Sequence, residues 1–229
     1  MVSELKSKSN FSEAFIERLH RTQRILSRRL MIQSDKISLD EINYVAGVDV
    51  AYKGRFSIGA VSVLRFPELE EVEVEITVKE VRFPYISTLL GFREIPAVLP
   101  SIRKLKTMPE VFLVDGHGYA HPERFGFASH LGLILKTPTI GVAKAVLVGK
   151  LEPSGYERYM WIKDHGEVIG AALYISGSKK PIFVSVGDHI TLSSAVKIVE
   201  ECIRSGRIPE PIRCAHLAAN REKNRLREM

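Results

Sequence analysis

Cysteine is scarce in this 229-residue chain: only Cys202 and Cys214 occur, 12 positions apart, with no CxxC pair and no paired Cys/His spacing. That excludes a zinc-ribbon or finger site and leaves no disulfide scaffold, so two reduced, packed thiols are expected. Long hydrophobic runs are equally lacking. The opening MVSELKSKSNFSEAF has no apolar signal core, and every apolar stretch is broken by charge or proline. The expectation is a cytoplasmic protein, neither anchored nor exported, with no membrane partner. No repeat, low-complexity tract or Gly/Ser linker divides the chain. There is also no dinucleotide fingerprint and no nucleophile elbow. Leu147-Val148-Gly149-Lys150 lacks the glycine-rich loop of a P-loop, and Ser176-Gly177-Ser178-Lys179 precedes Pro181 as a hairpin turn would.

What is present is an ordinary globular balance, 45% hydrophobic and 26% charged, with a net charge of +6. The length and composition fit one domain over residues 11–229 after a loose polar segment, 1–10. The positive balance admits a polyanionic partner without requiring one. Ser12 to about Met31 reads as a helix capped by Ser12, with Phe15, Ile16, Leu19, Ile25, Leu26 and Leu30 at helical spacing. Its other side carries Arg18, Arg21, Arg24, Arg28 and Arg29, either a solvated face or a nucleic-acid contact.

Three strands are expected next, at Tyr44–Tyr52, Ile58–Phe66 and the alternating stretch Val72–Val78, as an antiparallel meander. A helix at Ala97–Leu105, a strand at Glu110–Val114, a helix at Glu123–Leu135 and a strand at Thr139–Val142 then form a crossover between parallel neighbours. Strands at Tyr159–Lys163, Val168–Ile175 and Ile182–Val186 and helices at Leu192–Arg204 and Cys214–Arg227 complete the chain. The fold class is α/β, a mixed sheet flanked by helices in the ribonuclease H-like layout.

Three acids stand where acids are awkward. Asp49 interrupts an apolar strand, Asp115 ends another beside Gly116-His117-Gly118, and Glu94 precedes a helix. Singly, Asp49 could pair with a buried arginine, Asp115 could cap a turn, and Glu94 could sit in a first helical turn. Together they form a hard-oxygen set suited to Mg²⁺ or Mn²⁺ and to phosphodiester hydrolysis. Lys144 follows a strand and could either reach water or supply charge to a phosphoryl transition state. His216 is either packed on its helix or catalytic. His121, before Pro122, is either a surface-loop histidine or one that positions water or phosphate.

The segments Val45–Tyr52, Pro84-Tyr85-Ile86-Ser87, Leu90-Gly91-Phe92-Arg93-Glu94 and Val114–Gly118 occur in this order, followed by His121-Pro122, Ala128–Gly132, Pro138–Lys144 and Ser185–His189. Over roughly Tyr44 to Asn220 the chain resembles the endonuclease V family. The resemblance implies a monomeric, Mg²⁺-dependent DNA repair endonuclease, Mn²⁺ substituting, that recognises deoxyinosine. It would hydrolyse the second phosphodiester 3′ of the lesion with water activated by the metal, leaving the lesion to downstream repair enzymes. Asp49, Glu94 and Asp115 would hold the metal, with His216 nearby. Lys144 would stabilise the reacting phosphate, and His121 would lie near the attacking water. Pro84, Tyr85 and Ile86 would form a strand-separating wedge, and Arg93 is counted among the substrate-binding residues. Relatives often carry proline where Ser87 stands, so the wedge here is expected to be more flexible. Backbone donors at Gly116 and Gly118, between Leu90 and Leu147, would favour the hypoxanthine oxygen. The alternatives are an inosine-specific endoribonuclease of the same fold and a lesion-binding protein without turnover.

Overall fold

The computed structural model describes residues 11–178 and 180–226. The expected loose segment 1–10, Lys179 and the last residue of the final expected helix, Arg227, lie outside them. A nine-stranded mixed sheet runs in the order β3-β2-β1-β4-β5-β9-β8-β7-β6. Its first three strands, β1 (Tyr44–Lys53), β2 (Phe56–Arg65) and β3 (Glu71–Glu80), are the meander read from the sequence. β4 (Val111–Asp115) lies parallel to β1, and β5 (Thr139–Ala143) parallel to β4. The other strands, β6 (Lys150–Tyr156), β7 (Tyr159–Asp164), β8 (Glu167–Leu173) and β9 (Ile182–Asp188), extend the sheet antiparallel from β5.

Both faces are covered. Helices α2 (Leu90–Ile102) and α3 (Phe127–Leu135) pack one face around Val48, Phe112, Val114 and Leu131. Helices α4 (Leu192–Glu201) and α5 (Glu210–Arg225) pack the other, around Val45, Leu113, Ile198 and Ile212. This is the ribonuclease H-like arrangement, and its apolar side chains are distributed between the two faces by strand alternation. α1 (Glu13–Ser27) begins at Ser12, whose hydroxyl accepts from the Phe15 N–H, but it ends four residues before Met31. Cys202 is buried in the core and Cys214 half-buried, both as free thiols. No helix among the described residues is long and apolar enough to cross a membrane.

One close approach sets the geometry of the site. A Cβ on Gly47 would lie 1.9 Å from the Pro211 carbonyl oxygen, so only glycine lets the first turn of α5 press onto β1. Gly47→Ala is therefore expected to cost at least about 1–3 kcal/mol, as overpacking against backbone does. At this chain length that is a fall in Tm of roughly 5 °C, readable by calorimetry. An unchanged Tm would show that the α5 contact yields freely.

Candidate active site

Parallel pairing places two of the acids together. Val48 pairs with Val114 across β1 and β4, so Asp49 and Asp115 follow as neighbours at the ends of adjacent strands. They share the face covered by α5. One strand further, Asp115 pairs with Val142, and Lys144 comes two residues beyond it. The Lys144 Nζ donates to Asp115 Oδ2 at 2.5 Å. Burial raises the Asp115 carboxyl above its ordinary range, the Lys144 bond opposes that shift, and the charge on Asp49 adds to it.

His216 projects from α5 onto Asp49, with Nδ1 2.7 Å from Asp49 Oδ2. Asn220, one turn along, donates its amide to His216 Nε2 at 3.1 Å. Since Nε2 accepts, the proton sits on Nδ1 and points at Asp49. The histidine is thus an oriented donor to the buried acid, a role its position on a helix does not reveal.

Glu94 comes from α2, across the sheet, and reaches the other acids only around the strand ends. It is buried, and Tyr52, the last residue of the Asp49 motif, donates its hydroxyl to Glu94 Oε1 at 3.1 Å. Burial pushes the Glu94 carboxyl up to about 8; the Tyr52 bond opposes this, and the charges of Asp49 and Asp115 push it further. Among the described residues no three His, Cys, Asp or Glu side chains are gathered as a closed metal group. The three expected acids are linked electrostatically, the charges of Asp49 and Asp115 both acting on Glu94. Like charges repel, and each carboxylate turns to its own donor: Lys144, His216 or Tyr52. The set fits a hard cation in kind: the charge of Asp49 raises the Asp115 carboxyl, both raise Glu94, and a divalent charge among these oxygens would relieve that repulsion.

A narrow cavity of about 10 Å³, room for one water, is lined by Gln23, Thr88, Leu90, His117, His121 and Leu147 among others. Leu90 and Leu147 both line it. Gly116 and Gly118 are not its donors, however. The Gly116 N–H donates to the Val142 carbonyl at 3.1 Å and the Gly118 N–H to Ser185 Oγ at 2.9 Å. The residue of that turn that reaches the cavity is His117, kept neutral by burial, which brings its imidazole down to about 4.

His121 is not a surface-loop residue and is not free to handle a proton. It is buried, its Nδ1 accepts from the Glu123 N–H at 3.1 Å, and its Nε2 donates to the Thr88 carbonyl at 2.9 Å. Burial lowers its pKa to about 4, so it is neutral and both nitrogens are committed. Arg93 is likewise engaged: its guanidinium lies 4.4 Å from the Tyr52 ring centroid and donates to the Phe83 carbonyl. It braces the base of the loop that carries Pro84 and Tyr85. Tyr85 itself is 69% exposed. Pro84 and Ile86 are half-buried beneath it, and Ser87 opens a short 3₁₀ turn, Ser87–Leu89.

The sequence model of the endonuclease V family matches residues 25–217. This chain belongs to the endonuclease V family. Endonuclease V of Rippkaea orientalis is 42% identical over 227 residues, covering 97% of this chain and 98% of that protein. The structure of Bacillus subtilis endonuclease V superposes with a TM-score of 0.86 at 32% identity, covering 96% of this chain and 95% of that one. Ciona intestinalis endonuclease V, solved with a 24mer DNA containing an inosine followed by a ribo-adenosine, gives 0.85 at 32% identity, over 93% of this chain and all of that one. The chain is a nuclease of this family.

Four supporting residues have roles that their local sequence does not suggest: Gln23, Tyr52, Asn220 and the His117 side chain. Gln23 carried a signal. It is a polar residue on the side of the helix otherwise formed by Leu19, Leu26 and Leu30. The arginine side divides: Arg24 pairs with Glu17 at 2.6 Å and Glu123 at 2.9 Å, while Arg18, Arg21, Arg28 and Arg29 face solvent.

Proposed function

We propose that the protein nicks DNA at the second phosphodiester 3′ of deoxyinosine by attack of water. The observation that carries this reading is the pairing of Asp49 and Asp115 at the ends of adjacent strands, with Lys144 bonded to Asp115 and His216 to Asp49. The reacting phosphate would meet this cluster, the extruded base the cavity lined by Leu90 and Leu147, and the vacated stack the exposed Tyr85. The inosine-containing DNA held by the Ciona relative supports the same substrate here.

Asp49, Asp115 and Glu94 would hold a divalent cation, Mg²⁺ or Mn²⁺, which when bound supplies Lewis-acid charge to the phosphodiester and acidity to a water. The remaining tasks belong to the chain itself. The Lys144 ammonium, half-exposed on Asp115, is positioned to place its charge against an incoming non-bridging phosphate oxygen. His216 holds Asp49 in one orientation through its Nδ1–H. Leu90 and Leu147 exclude water from the base, and Tyr85 replaces part of the stacking lost when the base leaves the duplex. Unstacking costs a few kcal/mol and less at a mispaired base, which favours a deaminated adenine over its parent. With the Gly116 and Gly118 amides already bonded, the oxygen that marks hypoxanthine would be read from the His117 side of the turn.

The sugar is decided by the substrate. Paired end-labelled oligonucleotides with one inosine, differing only in the 2′-hydroxyl, should be cut in the DNA form at the second linkage 3′ of the lesion. Cleavage of the RNA form alone would keep the site and change the substrate to RNA.

A further inference from the structure

Helix α1 is remote in sequence from every acid of the site, yet Gln23 buries its amide at the centre of the cavity wall. The side chain is 2% exposed. Its Nε2 donates to two carbonyls, Thr88 O and Phe125 O, each at 2.9 Å. Thr88 follows the Pro84–Ser87 loop, and Phe125 closes the loop that leads into α3. Gln23 Oε1 faces His20 Nδ1 at 3.1 Å, and His20 Nε2 lies 3.5 Å from Thr88 Oγ1. The Thr88 carbonyl accepts a second bond from His121 Nε2. Every donor of the Gln23 amide is thus used, and the network ties α1 to two loops that are otherwise joined here by the His121–Thr88 bond. The Arg24–Glu123 pair fastens the same helix to the same loop on the outside.

We infer that Gln23 is a positioning residue for base recognition: it latches the tyrosine-bearing loop to the 121–127 loop and so fixes the width of the base pocket and the place of Tyr85 together. The inference rests on the reading of this cavity as the base pocket. Gln23 touches no reacting atom. It works through Thr88, whose carbonyl is held from opposite sides by α1 and His121. A cavity with room for one water must widen to admit a purine, and the latch ties that widening to movement of the Tyr85 loop. Base entry and wedge insertion are thereby one motion. A side chain of equal length without donors would leave the Phe125 carbonyl without its Gln23 donor and the Thr88 carbonyl held by His121 alone, loosening each loop from α1.

Gln23→Met is the test, with Leu19→Ala as a variant that weakens α1 packing while leaving the latch intact. In Gln23→Met, KM for an inosine duplex should rise about tenfold and discrimination of inosine against adenine should fall by a similar factor, about the worth of one or two lost buried hydrogen bonds. The kcat at saturation should stay within about twofold, because Asp49, Asp115 and Lys144 are untouched. Amide hydrogen exchange read on the whole protein should quicken in residues 84–90 and 121–127 together. Leu19→Ala at equal loss of Tm should leave KM and discrimination as in the wild type. Faster exchange confined to α1, or a Gln23→Met protein that loses Tm but keeps wild-type KM and discrimination, would overturn the latch. If the wild type cuts no inosine substrate, the pocket reading itself is wrong; the exchange experiment then decides alone whether Gln23 joins the two loops.

Discussion

Replacing Asp49 by Asn is expected to lower the single-turnover nicking rate by at least about 10²–10³-fold while leaving Tm unchanged or higher. Asn matches the volume of Asp and removes the charge from a buried strand position, so the folded state loses a desolvated carboxylate at little packing cost. The site loses more. Asp49 is the acid to which His216 is aimed and which, with Asp115, faces α5 from adjacent strands. Removing one preorganised charge from a reacting phosphate costs on this scale in other enzymes. The pairing of lower rate with undiminished stability separates a functional acid from a structural one. A rate within tenfold of wild type would remove Asp49 from the chemistry. So would a collapse of Tm large enough to explain the loss, because the acid would then be part of the fold's own support.

The second large effect is on stability against pH. Glu94 has its carboxyl raised to about 8 in the fold against an ordinary value of 4.5. Below about pH 4.5 it is protonated whether the chain is folded or not, and it contributes no pH dependence. Between 4.5 and 8 the unfolded chain releases the proton and the folded chain keeps it. The folded state therefore loses stability as pH rises through this window, by at most about 1.4 kcal/mol per pH unit, and levels off above about 8. Glu94→Gln has no proton to release. With chelator present throughout, the variant should be a few kcal/mol more stable than wild type near pH 8, with the difference closing towards pH 4.5. The same substitution should abolish most nicking. Melting curves of the two proteins at several pH values test this. Parallel Tm profiles would mean that Glu94 ionises in the fold as freely as in the unfolded chain.

Both predictions start from residues visible in the sequence, and the reason is physical. An acid inside Val45–Ala51 breaks a pattern that has one cheap explanation, a buried strand, and so announces itself. The meander was legible for the same reason: Val72, Val74, Ile76 and Val78 alternate with polar residues, and β3 covers them. β6 was not foreseen. Its residues, Lys150 to Tyr156, include Glu152, Pro153 and Gly155 and are mostly exposed on the sheet edge, where neither burial nor propensity imposes a pattern. The helix expected at Ala97–Leu105 starts at Leu90, because Pro96 and Pro100 lie inside it and its apolar face against β2 and β3 outweighs their missing donors. α5 begins at Glu210, with Pro211 in its first turn, four residues before the apparent start at Cys214.

The partners of the acids were hidden for a different reason. Tyr52 meets Glu94 across 42 residues, and Gln23 meets Phe125 across 102. No local spacing encodes such a contact. His121 shows the same limit in reverse: its neighbours in sequence suggest an exposed loop, and only the packed 121–127 segment reveals that both ring nitrogens are engaged. What the sequence does announce is the charged residue in an apolar run; what it conceals is which donor holds that residue still.

The most direct test of the central claim, that this carboxylate cluster cuts DNA beside a deaminated base, is one gel. An end-labelled duplex with a single deoxyinosine is incubated with wild type and with Asp115→Ala, in Mg²⁺ and in chelator. A single nick is expected at the second linkage 3′ of the lesion, present only for wild type with Mg²⁺. A nick that survives chelation or the loss of Asp115, or one that ignores the position of the inosine, would contradict it.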